Sequence, residues 1–177
     1  MKQAQFPSRL ANTLLLGLVA SSASYGAGFQ LAERSASGLG RAFSGEAAIA
    51  DDASIIASNP AGMSLLDDMS FAFGANVILS NIDASGVGAT GPISDNSVAA
   101  NAVVPYSFVS KKINDQWSIG FGTYTTYGLK SDYSSEFARG AATDFSELFS
   151  FNLNPAISYR INKQWTIGAG FDALYAN

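Results

Sequence analysis

The sequence predicts an all-β fold: antiparallel strands of a transmembrane barrel, preceded by an irregular, partly helical segment. Three observations lead there. First, Ile113-Asn114-Asp115-Gln116-Trp117-Ser118-Ile119-Gly120-Phe121-Gly122 returns as Ile161-Asn162-Lys163-Gln164-Trp165-Thr166-Ile167-Gly168-Ala169-Gly170. Each copy opens on a polar turn and then alternates. Trp117, Ile119 and Phe121 share one face, opposite Ser118, Gly120 and Gly122; Trp165, Ile167, Ala169 and Phe171 oppose Thr166, Gly168, Gly170 and Asp172. A period of two is a strand with unlike faces. A large apolar face behind a small, polar one suits a wall between lipid and lumen, and a Trp just after a turn suits an interfacial girdle. A soluble meander with one buried face fits the repeat alone equally well.

Second, the N-terminus carries an export signal. Lys2 and Arg9 precede an apolar run over residues 10–20, and Ser24 and Gly26 supply the small residues before Ala27. That is a secretory leader, residues 1–26, too short to span a bilayer, which takes about 20 apolar residues. Third, the connections alternate in length. Residues 81–97 form a long polar loop, Asn114-Asp115 a short turn, residues 128–147 a long loop, and Asn162-Lys163 a short turn. Outer-membrane barrels alternate this way, with the short turns in the periplasm; a sandwich has no reason to.

The elements follow in order. Residues 27–66 are rich in Ala, Gly and Ser, lack alternation, and carry Glu33, Arg34, Arg41, Glu46, Asp51 and Asp52. A short helix is expected over residues 44–57, with Ser44 as N-cap and Asn59-Pro60 as its stop. Residues 67–177 read as strands. The first sets Phe71, Phe73, Ala75, Val77 and Leu79 on one face; the second sets Ala102, Val104, Tyr106 and Phe108 on one face. The third is the first repeat copy, running to about Tyr127. The fourth alternates Phe151, Leu153, Pro155, Ile157, Tyr159 and Ile161 with Asn152, Asn154, Ala156, Ser158 and Arg160, and the fifth is the second copy, to Tyr175. Pro105 and Pro155 require a bulge or bend. About five strands cannot close a membrane barrel, which takes eight or more, so the chain is expected to be the N-terminal part of a longer one.

Composition removes several functions. There is no Cys and no His, so a disulfide framework, a Ser-His-Asp triad and most zinc sites are excluded; no enzyme, metal or cofactor is expected. A net charge of −4 without a Lys/Arg cluster argues against nucleic acid. Apolar residues reach 47% without an 18-residue run after the leader, so no transmembrane helix is expected.

The chain resembles the FadL family of outer-membrane long-chain fatty acid transporters, whose members also take up aromatic hydrocarbons. The likeness is carried by Ala27-Gly28-Phe29-Gln30-Leu31, Ser37-Gly38-Leu39-Gly40-Arg41-Ala42, Ser44-Gly45-Glu46, Ile49-Ala50-Asp51-Asp52-Ala53 and Asn59-Pro60-Ala61. It continues through Ile113-Asn114-Asp115-Gln116, Tyr127-Gly128-Leu129, Asn152-Leu153-Asn154 and Tyr159-Arg160-Ile161. The resemblance implies a multi-pass barrel in a Gram-negative outer membrane, a monomer when full length, plugged by a hatch over residues 27–66. It implies passive capture of a fatty acid or hydrocarbon in a barrel pocket, hatch movement and lateral exit to membrane lipid, with no cofactor. Ala27, Gly28 and Phe29 would reach the ligand. Tyr127 and Gly128 would break the third strand at a sideways opening, with Asn59, Pro60 and Ala61 nearby. Arg160 is expected to meet a hatch acid, and Trp117 and Trp165 to be girdle anchors. Carboxylate-binding basic residues are expected beyond Asn177. A structural or adhesive outer-membrane barrel is the alternative.

Overall fold

The computed structural model describes residues 30–88, 91–96, 98–134 and 145–177; the expected leader and Ala27, Gly28 and Phe29 lie outside them. Three short polar side chains start the helical turns of the first segment. Ser35 accepts from the Gly38 amide at 3.0 Å and caps α1 (Ala36–Gly40). Asp52 accepts from the Ser54 amide and caps a 3₁₀ turn, Ala53–Ala57. Asn59 caps a second, Pro60–Leu65, with Pro60 at the first position, where a missing N–H costs nothing. The helix expected from Ser44 is absent. Residues 41–48 are turns, and Ala42, Phe43 and Gly45 take φ of 50°, 58° and 72°, a left-handed run no α-helix continues through. Asn59-Pro60, expected only as a stop, ends one turn and starts the next.

The strands are β1 (Met69–Ile78), β2 (Ala84–Gly88), β3 (Gly91–Asp95), β4 (Ala102–Lys112), β5 (Trp117–Tyr124), β6 (Gly128–Asp132), β7 (Phe145–Arg160), β8 (Thr166–Gly170) and β9 (Ala173–Ala176). β1, β4, β5 and β7 lie side by side and antiparallel; β6 pairs the start of β7, while β8 and β9 share its other edge. The strands thus follow the expected five-strand order, joined by the two short turns. Within the described residues the sheet does not close on itself. The first long loop is not featureless, since β2 and β3 pair there as a hairpin. No helix among the described residues is long and apolar enough to cross a membrane.

Alternation sorts the two faces. Phe71, Phe73, Val77, Ile119, Phe121, Leu153, Ile157 and Ile167 are all exposed on the outer face. On the inner face Ser110, Ser118, Asn152, Asn154 and Ser158 are buried under the first segment. That segment contributes Ile55, Ile56 and Met63, each almost fully buried. A polar wall around a plug, behind a continuous apolar belt, is the barrel arrangement. At the turn end Trp117 packs on Tyr159, with ring centroids 4.6 Å apart.

β4 departs from the simple pattern: its bulkier set, Val104, Tyr106 and Phe108, points inward. Glycines on both neighbours make room. A Cβ on Gly74 would lie 2.6 Å from the Tyr106 hydroxyl, and one on Gly122 would lie 2.5 Å from the Phe108 ring. Phe108 then stacks on Tyr124 with centroids 5.5 Å apart. The first segment uses the same device. Cβ atoms on Gly120 would strike Ile56 and Met63, and one on Gly168 would strike the backbone at Pro60 and Ala61.

Pro155 acts on its neighbour rather than on its own strand. β7 runs unbroken through it, but the fifth strand divides between β8 and β9. The register is continuous across the division, from Ala156↔Gly170 to Leu153↔Ala173. The Pro155 carbonyl accepts from the Phe171 amide at 3.0 Å, while its ring nitrogen has no hydrogen to return. Half of one pair is missing, and no bulge is needed.

Candidate functional site

The third strand stops at Tyr124, earlier than expected, and the chain resumes pairing as β6. The fourth starts at Phe145, six residues before the expected Phe151, to receive it. The two joints have different registers. β5 pairs Tyr124 with Asn152, whereas β6 pairs Gly128 with Phe149. Thr125, Thr126 and Tyr127 therefore face only Ser150 and Phe151. This is a bulge with one extra residue, which bends a strand and takes backbone groups out of the ladder.

Ser150 is fully buried and collects those groups. Its hydroxyl accepts from the Tyr127 amide at 2.7 Å and the Thr126 amide at 3.3 Å, and its own amide donates to the Tyr127 carbonyl at 3.1 Å. Thr126 donates its hydroxyl to Asn152 at 2.8 Å. The Thr126 carbonyl turns to the first segment, accepting from the Leu31 amide at 2.7 Å, and Gln30 bridges Tyr127. The first described residues thus lie against the bulge.

On the other side of the bulge the wall parts. β4 and β5 pair as far as Ser107↔Thr123. Pairing resumes only at Ala99↔Ser131, supported by Ala100 N–H to the Lys130 carbonyl at 3.2 Å. Residues 101–106 and 125–129 have no ladder partners across the seam. Six residues of strand make a slot roughly 20 Å long. A cavity of about 390 Å³ occupies it, lined on the inner side by Leu31, Val104 and Thr125 and on the outer side by Glu147 and Phe149. Its lining comes from both faces of the wall and is mostly apolar, and it has the size of a small-molecule site. Lys130 and Glu147, 3.7 Å apart, edge its outer mouth.

Below the slot the inner wall carries a polar cluster. Asp172 accepts from the Tyr124 hydroxyl at 2.8 Å and the Asn154 amide at 2.9 Å, and the Arg34 guanidinium lies 5.8 Å from the Tyr124 ring centre. Arg34 also donates to the Ala57 carbonyl at 3.3 Å, a bond within the first segment that fixes the guanidinium against this wall. Asp51 pairs with Arg41. Arg160 meets no acid: among the described residues its partner is the Ser64 main-chain carbonyl. Burial would push the Asp52 carboxyl up, but hydrogen bonds from Ser54 and Ser37 and the Arg41 guanidinium outweigh it, and the group sits below its ordinary range.

The expected site residues separate into groups. Tyr127 and Gly128 form the edge of the slot, and a Cβ on Gly128 would lie 3.0 Å from the tip of Leu31. Pro60 and Ala61 sit against Gly168 and Gly170 instead, and Asn59 caps the turn that they start. Those glycines face Ser158 and Ala156, eight and six residues along β7 from Ser150, or roughly 20–25 Å. The geometry does not bring them to the slot. Ala27, Gly28 and Phe29 lie outside the described residues, though Gln30 and Leu31, just after them, reach it. Sequence reasoning missed Ser150, Leu31 and Val104. Their signals are weak: Ser150 is one more small polar residue in an inward series, and the pair Thr125-Thr126 ends the clean alternation.

Comparison with known proteins gives a consistent picture. A family model described as outer membrane protein transport protein (OMPP1/FadL/TodX) matches residues 17–177. The long-chain fatty acid transport protein of Escherichia coli K12 is 37% identical over 177 residues, covering 99% of this chain and 40% of the relative. Outer membrane protein P1 of Haemophilus influenzae is 38% identical over 186 residues, covering 96% and 40%. The crystal structure of a Pseudomonas aeruginosa FadL homologue superposes with a TM-score of 0.64 at 19% identity, over 85% of this chain and 38% of that one, and shows the same fold. The chain spans about 40% of the length of the curated relatives named here.

Proposed function

This chain belongs to the OMPP1/FadL/TodX family of outer membrane transport proteins, and from that premise we propose that it takes part in passive uptake of long-chain fatty acids, with the slot beside β5 as the way out. The carrying observation is a mostly apolar cavity lined from both faces of the wall at a register shift. A wall of paired strands has no hole. Here the partners separate and then rejoin, and the freed edge is served by Ser150 and the inner segment rather than left bare in hydrocarbon, where unpaired groups cost several kcal/mol each.

The physics of the step favours a sideways path. Each CH₂ moved from water to an apolar site gains about 0.8 kcal/mol. A chain that entered the periplasm from the lumen would give that up again, whereas one that left through the wall would not. Height supports the same reading. Counting up β7 from Tyr159, which packs on Trp117, the nine to eleven residues that cross a bilayer end near Ser150, so the lower end of the slot lies at the outer edge of the membrane. In this reading residues 27–66 act as a hatch, with Ala27, Gly28 and Phe29 near the ligand and Gln30 and Leu31 as the stopper at the slot. A ligand moves the stopper only if it binds the open arrangement more tightly than the closed one. The transport names of the relatives support uptake rather than turnover.

The test uses the absence of native cysteines. Val103→Cys and Tyr127→Cys face each other across the slot and can be bridged by a short bifunctional thiol reagent in the full-length protein. Bridging is expected to abolish most fatty acid uptake while ligand binding to purified protein persists. Undiminished uptake with the bridge complete overturns the lateral path.

A further inference from the structure

We propose that the Ser150 hydroxyl is what holds the slot open, acting as a positioning residue from the opposite strand. The inference deepens the lateral-exit reading and rests on it for its functional consequence. Its structural part stands alone.

The register shift leaves Thr126 and Tyr127 without ladder partners on β7. In a dry wall those amides must find acceptors. Two acceptors are within reach in principle. One is Ser150, whose hydroxyl now takes both amides and in turn donates to the Tyr127 carbonyl at 3.0 Å. The other is the free edge of β4 across the slot, residues 101–106, whose own groups lack ladder partners there. Hydrogen bonds made to β7 keep the bulge turned away from β4. Tyr127 bonded instead to Val103 on β4, which stands opposite it when the alignment of Ser107↔Thr123 is carried on to Ala99↔Ser131, would draw the slot shut. The structure therefore contains a competition between two acceptors, and one buried hydroxyl decides it.

Position makes the role specific. Ser150 is fully buried, and its amide and hydroxyl together serve both the N–H and the C=O of Tyr127. A plain packing role for a small residue needs none of these bonds. Alanine would meet it as well as serine does.

The experiment measures the bridging rate of the Val103→Cys/Tyr127→Cys pair in the full-length protein, with serine or its replacement at 150. Ser150→Ala is expected to raise the bridging rate about tenfold, the factor expected for unpairing a buried hydrogen bond. In the cysteine-free background it should lower uptake of a labelled long-chain fatty acid, with equilibrium binding unchanged. Ser150→Thr keeps the hydroxyl and should restore both. A wild-type bridging rate in Ser150→Ala overturns the inference. Should Ser150→Ala fail to assemble, the shape-matched pair Ser150→Val and Ser150→Thr decides: a difference in bridging rate sustains the role of the hydroxyl, and equal rates overturn it. The lateral-exit reading fails separately, when the slot of the parent protein is bridged and uptake continues.

Discussion

The wall has two halves built on opposite rules. Toward the short turns, β4, β5, β7 and β8 form an unbroken ladder whose inner glycines are filled by the plug: Gly120 by Ile56 and Met63, Gly168 by Pro60 and Ala61. Toward the long loops the ladder shifts by one residue, parts from β4, and meets Leu31 and Gln30 from within. Missing side chains seal the first half, because backbone and plug can approach. An added residue opens the second, because its backbone groups leave the ladder. Closure and opening are thus separable, and substitutions should affect one without the other.

The largest effects should come from the outer face of the sealed half. Ile119→Arg or Ile157→Arg places a charge on the lipid side and should cost about 2–4 kcal/mol near the midplane. The readout is the fraction of full-length protein recovered as heat-modifiable barrel in outer membranes. Next comes the seat of the plug. Gly168→Val drives a side chain into the backbone at Ala61, an overpacking expected to cost about 1–3 kcal/mol. The barrel should still insert, but with the plug displaced cells should admit small polar antibiotics. Insertion without any leak would mean that Pro60 and Ala61 move aside and that the glycine contact does not seat the plug.

Much of this was legible in the sequence, and what was not has a physical cause. Alternation identified the main strands and their order, and the outer faces of all but β4, whose bulkier set points inward, because lipid favours apolar side chains at outward positions. The repeat located both short turns. The inner face obeys no such rule. Gly120 and Ser158 read only as members of the small, polar face, yet the plug packs on Gly120 and Ser158 is buried; a period of two tells which way a residue points, not what awaits it. Tyr127 and Gly128 were legible as a break through the family resemblance, whereas the bulge depends on a count between two strands, which no single segment contains. The helix expected from Ser44 failed because Gly45, at its first helical position, takes a left-handed φ, which spacing does not reveal.

A third prediction concerns the plug itself. Asp52 caps a 3₁₀ turn and accepts from the Ser37 hydroxyl at 2.7 Å. Asp52→Ala should cost about 1 kcal/mol, typical of a lost cap. Because its folded-state pKa is lowered, its contribution is complete above the unfolded value, near 3.9, and is lost as pH falls through the folded value. Proteolysis of the plug in inserted protein should therefore rise below about pH 4 in the parent, and that dependence should weaken in Asp52→Asn, which does not titrate. An unchanged acid response in Asp52→Asn would assign it to other carboxylates.

The smallest effect on stability should be the most informative about the open half. Gly128 faces the tip of Leu31, and an added Cβ would lie 3.0 Å from it. That neighbour is the end of a flexible side chain rather than backbone, unlike the Gly168 contact, so Gly128→Ala should cost only about 0.5 kcal/mol for a displaced rotamer. Function should respond more than stability does, because Leu31 lines the cavity. Pushed toward its centre, the leucine narrows the slot, and uptake should fall while binding and barrel yield hold. Leu31→Ala in the same protein removes the displaced group and should restore uptake. If Gly128→Ala lowers yield and uptake together and Leu31→Ala rescues neither, the glycine serves the strand alone, and the two halves of the wall do not differ in the way proposed.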